Sequence, residues 1–249
     1  MKVYLNSTAN FGDFLNGVPV ISGIYKANGA KPLTLIIKGE MRKFKGIKKF
    51  LMHQEICDEV LFDDETFMYG DIKVLSSWYK EHKNNPNRPT ETCRYENFFR
   101  DMHPGFEFEV DDKFVIKFPD FGFEVSDNYY VGDRWNVGDI DDRRETNILS
   151  HLDKFEFIDY NNDILTNCYI IKNSKKPFIT NFTGVGMMAD LLDKECFVVW
   201  KAEDWKPEFR VGDDVSWDNG KNIQQVFEKH FYGDRKAKLV HAKDLEKCL

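Results

Sequence analysis

Residues 1–30 read MKVYLNSTANFGDFLNGVPVISGIYKANGA, and this stretch decides the fold. Lys2 to Asn6 form a short apolar strand, and Ser7 to Gly12 are small or turn-forming apart from Phe11. After Asp13, the residues Phe14, Leu15, Val18, Ile21, Ile24 and Tyr25 recur at three- and four-residue steps, the period of a buried helix face. Asn28-Gly29 then supplies a left-handed stop. A strand, a glycine-bearing turn and a helix in that order predict an open parallel sheet, whose ligands bind at the carboxyl ends of its strands. Asp13 sits at the mouth of this helix. Two roles are open to it: an acid that stabilises the helix dipole, or a general base held at the crevice.

Bulk properties narrow the class. A chain of 249 residues makes one large domain or two small ones, either able to bury a real core. Its 42% hydrophobic and 31% charged residues are those of an ordinary globular protein. No apolar run approaches the ~20 residues of a membrane span, and the first residues enter a strand rather than a leader pattern. The five cysteines (Cys57, Cys93, Cys168, Cys196 and Cys248) are scattered and lack a C-x-x-C pair. Neither a disulfide framework nor structural zinc is expected, and a reducing, cytoplasmic setting is. The net charge of -7 disfavours binding nucleic acid over the whole surface but leaves room for a local basic patch.

Further along, Pro32 to Lys38 reads as a second strand and Arg42 to Phe50 (RKFKGIKKF) as a basic, amphipathic segment. Arg42, Lys43, Lys45, Lys48 and Lys49 make either a solvated helix face or an anion-facing wall beyond a strand end. Glu59 to Phe62 predicts a strand, Asp71 to His82 a helix, and Asn84 to Pro89 a loop. Arg94, Tyr95, Phe98, Phe99, Arg100 and His103 interleave cations with aromatics, which suits packing or base stacking. The alternation from Phe106 to Val125 predicts one or two strands.

The pattern restarts near Ser126, giving an expected first domain at 1–125 and a second at 126–249. Strands are expected at Tyr129 to Val131, Phe155 to Tyr160, Pro177 to Asn181 and Glu195 to Lys201. Helices are expected from Asp141 to Leu152, from Asp163 to Lys172, after the turn Phe182 to Gly186, and in the tail from Asn219. Each half alternates strands with helices and has its own glycine turn. That predicts an α/β protein of two Rossmann-like open-sheet domains facing a central cleft.

Thr183-Gly184-Val185-Gly186 fits a diphosphate cradle, because amides at a helix N-terminus attract anions and glycines let the backbone approach closely. It equally fits a plain strand-to-helix turn, with Thr183 as its cap. Arg134, Arg143 and Arg144 suit neutralisation of a diphosphate or ordinary pairing with their acidic neighbours. Asp139, Asp141 and Asp142 lack calcium-loop spacing, and no metal is expected. The chain has no G-x-S-x-G and no Walker loop, which disfavours serine hydrolases and P-loop enzymes.

Asn10-Phe11-Gly12-Asp13-Phe14-Leu15 resembles the Gly-x-Gly-Asp opening loop of the heptosyltransferase-like GT-B glycosyltransferases, family 9. Thr183-Gly184-Val185-Gly186-Met187-Met188-Ala189 resembles their Asp-Thr-Gly-x-x-His-Leu-Ala segment. Ala9 or Asn10 stands in place of the first loop glycine, Phe182 in place of the acid and Met187 in place of the histidine. The resemblance implies an inverting, metal-independent transfer of a sugar from a nucleotide-diphosphate-sugar, without a further cofactor. Asp13 would be the base, with Thr183, Gly184, Val185, Gly186, Arg134, Arg143 and Arg144 on the donor. Asn10, Phe11, Gly12, Arg42, Lys45, Lys48, Lys49, Arg94 and Arg100 would face the acceptor.

Composition resembles that of proteins from large tailed phages, which suggests hydroxymethylated pyrimidines of double-stranded DNA as acceptor in a host cytoplasm. Two other classes fit the same stretches: a pyruvyltransferase-like enzyme, because Asn-Phe-Gly-Asp also resembles that family, and a non-catalytic protein that sequesters a nucleotide or DNA. A methyltransferase fits less well, since it leaves the second glycine turn without a role.

Overall fold

The computed structural model describes residues 1–6, 11–64, 70–75, 105–132, 152–180, 183–200, 235–241 and 244–249. The chain divides into two compact units, one of residues 1–120 with 161–166, the other of 121–160 with 167–249.

In the first unit, β1 (Lys2–Asn6) leads to α1 (Phe11–Ala27), followed by β2 (Leu33–Lys38), a 3-10 turn (Gly39–Lys43), α2 (Ile47–His53), β3 (Cys57–Asp63) and β4 (Ile72–Leu75). The strands are parallel, in the order β3-β2-β1-β4. LTLIIK is a nearly continuous apolar run because β2 lies inside the sheet, with Leu33, Leu35 and Ile37 fully buried. Phe14, Leu15, Val18, Val20, Ile21 and Ile24 are also fully buried, so α1 is packed on more than one side.

Two glycines explain how. A Cβ on Gly17 would lie 2.6 Å from Leu5 Cδ1, so the helix rests directly on β1. On Gly23 it would lie 2.0 Å from the Glu109 carbonyl oxygen, where the chain at 105–120 crosses the helix. Gly29 takes φ +70° just after α1, the left-handed stop expected there.

Two expectations change here. Ile72–Leu75 is the strand β4, not the start of a helix: Ile72 and Val74 are buried while Lys73 alternates outward, and pairing with β1 outweighs the helical spacing. Residues 106–125, expected as one or two strands, pair with no described strand, and 106–120 form an extended strap. Its own Phe108, Phe114 and Ile116 are buried. The buried Gln54 side chain takes the place of a partner strand, donating to the Lys117 carbonyl at 3.0 Å and accepting from its amide at 2.8 Å. Asp111 fixes the strap to α1: its amide donates to the Pro19 carbonyl, and its carboxylate accepts from Ser22 at 2.6 Å and pairs with Lys26 at 2.8 Å.

The second unit carries β5 (Tyr129–Val131), β6 (Phe155–Phe157), most of α3 (Ile164–Asn173), β7 (Phe178–Thr180), α4 (Gly184–Leu191), β8 (Cys196–Trp200), β9 (Ala237–His241) and α5 (Leu245–Cys248). Its strands are parallel in the order β6-β5-β7-β8-β9, a doubly-wound arrangement that reverses direction between β5 and β7. Val131, Leu152, Ile179, Phe197, Val199, Val240 and Leu245 form one core on this sheet. The strand β9 and the short α5 were not expected from the sequence. The helix expected at Asp141 to Leu152 falls mostly outside the described residues; of the tail expected to be helical from Asn219, residues 219–234 lie outside them, and Ala237–His241 is instead the strand β9, because it pairs with β8.

Candidate functional site

Each sheet reverses its strand order once, between β1 and β4 in the first unit and between β5 and β7 in the second. Crevices for ligands open beyond the carboxyl ends of strands at such points. One glycine-bearing helix start lies at each.

In the first unit α1 follows β1. Phe11 and Gly12, expected in the turn, are helical, which puts Asp13 within the first turn of α1. A carboxylate is favoured there by the helix dipole. The Phe11 ring packs on Phe44 at 4.9 Å and on Phe14 at 6.2 Å. The basic segment after β2 is thereby brought against the mouth of α1. Asn10, Arg94 and Arg100 lie outside the described residues.

The five cations of the basic segment do not act alike. Arg42 donates through both terminal nitrogens to Asp64, one of these bonds measuring 2.8 Å, and lies 4.3 Å from the centroid of Phe62. The hydrogen bond to Arg42 holds the Asp64 carboxyl below the usual range. Lys45 donates 2.9 Å to the carbonyl of Asn161, 116 positions away, while its own carbonyl accepts from Ile164. Beside it, Gly46 has φ +81° and no room for a Cβ, which would lie 2.8 Å from that of Asp163. Asp163 in turn caps α3 by accepting from the Thr166 amide at 2.9 Å. Lys45 therefore helps to dock residues 161–166. Lys43 lies over Phe44 at 5.1 Å, and Lys43, Lys48 and Lys49 are exposed.

In the second unit the turn after β7 is built around Thr183. This residue is the N-cap of α4, extended at φ -117° and ψ 167°, and its hydroxyl accepts from the Gly186 amide at 3.4 Å. Its carbonyl takes the Met187 amide. The amides of Gly184 and Val185, at the first two helical positions, have no partner within the helix. Thr180, the last residue of β7 and only 2% exposed, places its hydroxyl 3.1 Å from that of Thr183. Gly132, just past β5, donates to the Ile179 carbonyl at 2.8 Å. A Cβ on Gly132 would lie 2.7 Å from the Thr180 hydroxyl, so only glycine lets the two strand ends approach. Arg134, Arg143 and Arg144 lie outside the described residues, as do Asp139, Asp141 and Asp142.

The far end of α4 is surrounded by cations. Lys172 donates to the carbonyls of Leu192 at 2.7 Å and Asp193 at 3.0 Å, Arg235 to that of Asp190 at 3.0 Å, and Lys236 pairs with Asp193 at 2.7 Å. These satisfy and neutralise the negative end of the helix. Burial lowers the pKa of Lys172 and of Lys194, whose ammonium donates to the Ser174 carbonyl. Burial pushes the Cys57 thiol up to about 12 and raises Cys196 as well, which disfavours the thiolate at both.

Thr180, Gly132 and the cations around the α4 terminus were not singled out in the sequence. Gly132 was visible as a glycine after a strand. The others act through partners that lie far away in the chain.

Among the described residues, no three His, Cys, Asp or Glu side chains gather as metal ligands, and no helix is long and apolar enough to cross a membrane.

No family profile and no curated protein matches the sequence. Solved structures do match. The heptosyltransferase WaaC of E. coli with ADP has a TM-score of 0.54 at 9% identity, covering 100% of this chain and 98% of that one. A family 9 glycosyl transferase from Veillonella parvula has a TM-score of 0.55 at 9% identity, covering 99% and 87%. The E. coli enzyme with ADP-2-deoxy-2-fluoro heptose has a TM-score of 0.50 at 10% identity, covering 92% and 99%. The chain therefore has the heptosyltransferase-like GT-B fold of the family 9 glycosyltransferases.

Proposed function

We propose that this protein is a glycosyltransferase that moves a sugar from a nucleotide-diphosphate-sugar to an acceptor hydroxyl. The observation that carries this reading is the likeness over 100% of the chain to a heptosyltransferase solved with ADP. The capped glycine turn at the β5/β7 reversal supports it, since it is suited to an anion. In this reading Asp13 is the general base, worth about 10²–10⁴-fold, and removes the proton of the acceptor hydroxyl as its oxygen attacks the anomeric carbon. The bond to the diphosphate breaks on the opposite face, which inverts the sugar. The Gly184 and Val185 amides, the Thr183 hydroxyl and one or more of Arg134, Arg143 and Arg144 stabilise the charge on the departing diphosphate. Metal is not required.

The finer reading of the acceptor is a hydroxymethylated pyrimidine in double-stranded DNA, with the protein phage-encoded and working in a host cytoplasm. The exposed Lys43, Lys48 and Lys49 beside the mouth of α1 favour it. The test is release of nucleoside diphosphate when nucleotide-sugars are offered with DNA or glycan acceptors. Release that disappears in Asp13→Asn is expected. Release that survives this substitution would remove the base from the mechanism, and absence of release with every donor would overturn the activity.

A further inference from the structure

Arg42 differs from the other cations of its segment because its charge is already met. Two nitrogens of its guanidinium face the two oxygens of Asp64, the end-on arrangement that holds both groups in one plane. One face of that cation is backed by Phe62, at 4.3 Å from the ring centroid. Asp64 is seated against Gly39, where a Cβ would lie 1.9 Å from its oxygen, so a side chain there would displace the carboxylate. Gly39 and Asp64 directly follow the paired last residues of β2 and β3, Lys38 and Asp63. The pair thus sits at the carboxyl edge of the sheet, with Phe62 on one side and the Gly39 backbone beside Asp64. It stays open to solvent nonetheless, with Arg42 49% and Asp64 60% exposed. Phe44, two residues on, packs against Phe11 at the mouth of α1.

A phosphate gains little from a guanidinium that a carboxylate has already neutralised. What the pair offers is a flat, nearly uncharged surface resting on an aromatic ring. Its rim keeps the other N–H groups of Arg42 and the outer lone pairs of Asp64. A flat ring that carries its own donors and acceptors suits such a surface, and nucleobases stack on arginine planes in this manner. We propose that the Arg42–Asp64 pair, laid on Phe62, is a stacking platform for a nucleobase, in a nucleic-acid strand or in a free nucleotide. This rests on the reading of the first unit as the acceptor side.

The test uses the whole chain and 2-aminopurine, whose fluorescence falls on stacking. It is supplied once within a single-stranded DNA oligonucleotide and once as the free nucleoside monophosphate. Quenching by the wild type is expected. Stacking is worth enough per base that Arg42→Lys, which keeps the charge and loses the plane, should weaken binding about tenfold, and Phe62→Leu should do likewise. The dependence of affinity on salt should not change in either variant, whereas Lys48→Ala should lower that slope by about 0.7.

Quenching at lower concentration for the strand than for the monophosphate assigns the base to nucleic acid, and the reverse assigns it to a free nucleotide. Either result upholds the platform. Wild-type binding by Arg42→Lys overturns it, as does a salt slope that drops in Arg42→Ala with quenching intact. Displacement of the probe by methyl glucoside at equal concentration also overturns it. Release of nucleoside diphosphate is read on the same samples. A protein that releases diphosphate but lacks Arg42-dependent quenching keeps the transferase reading and loses the platform. One that quenches but releases none keeps the platform and loses the transferase reading.

Discussion

The starts of α1 and α4 are built on one plan and present opposite chemistry. Both follow a parallel strand at the point where its sheet reverses order, and both carry glycine in the first turn. Yet α1 places a carboxylate, Asp13, in that first turn, whereas the first turn of α4 has no acidic residue. A helix start supplies positive potential in both places. The sequence places an acid at the start of α1 and none at the start of α4. The surroundings differ to match. The α1 helix is held between β1 at Gly17 and the strap at Gly23, while the far end of α4 is anchored by Lys172, Arg235 and Lys236. In the proposed reading the helix held on both sides carries the base, and the α4 mouth takes the diphosphate.

The largest break in this comparison comes from removing the carboxylate. Asp13→Asn should lower turnover about 10²–10⁴-fold and leave the donor dissociation constant within about twofold, read by steady-state kinetics and calorimetry. If turnover and donor affinity fall together, the two helix mouths are not functionally separate.

Next is packing. Gly23→Ala sets a methyl group 2.0 Å from a backbone oxygen, and Gly132→Ala sets one 2.7 Å from a side-chain hydroxyl. Overpacking of this kind costs about 1–3 kcal/mol, and the Gly23 variant should lose more because a backbone segment yields less readily. Urea unfolding ranks the two, and the opposite order would mean that the strap is loosely held.

Thr183→Val removes the cap of α4 and should cost about 1 kcal/mol in the same experiment. An unchanged midpoint would show that the hydroxyl does not hold the helix end.

The smallest effect is in pH. Burial lowers the Lys194 pKa in the folded state, so the unfolded chain binds more protons at this group between the folded value and 10.5. Stability should therefore rise with pH across that interval, and below it the full penalty of burying the charge is present. Urea midpoints measured from pH 8 upward should show this rise in the wild type relative to Lys194→Met. Parallel profiles would mean that Lys194 keeps its ordinary affinity for protons.

Much of the frame is legible in the sequence because burial writes itself into composition. Leu33–Lys38 and Cys196–Trp200 are apolar runs, as parallel strands require, and Asn28-Gly29 announces the end of α1. The motifs at Asp13 and Thr183 were readable for the same reason: they are local, each a strand, a turn and a helix start. What failed to show depends on distant partners. Ile72–Leu75 looks helical until β1 is beside it. The strap alternates like a strand, yet its partner is the side chain of Gln54, 63 positions away. The basic segment misleads most. Nothing local reveals that Arg42 is matched by Asp64 or that Lys45 is tied to Asn161. Its charge can be counted in the sequence, but its availability cannot.

The most direct test of the account is calorimetric titration of ADP and a panel of nucleotide-sugars onto the wild type and Thr183→Val. The account predicts that at least one nucleoside diphosphate or its sugar binds the wild type and binds the variant about tenfold more weakly, the expected loss of a hydrogen bond to a charged group. Binding by none of them, or equal binding by both proteins, would contradict the assignment of the α4 mouth to a diphosphate.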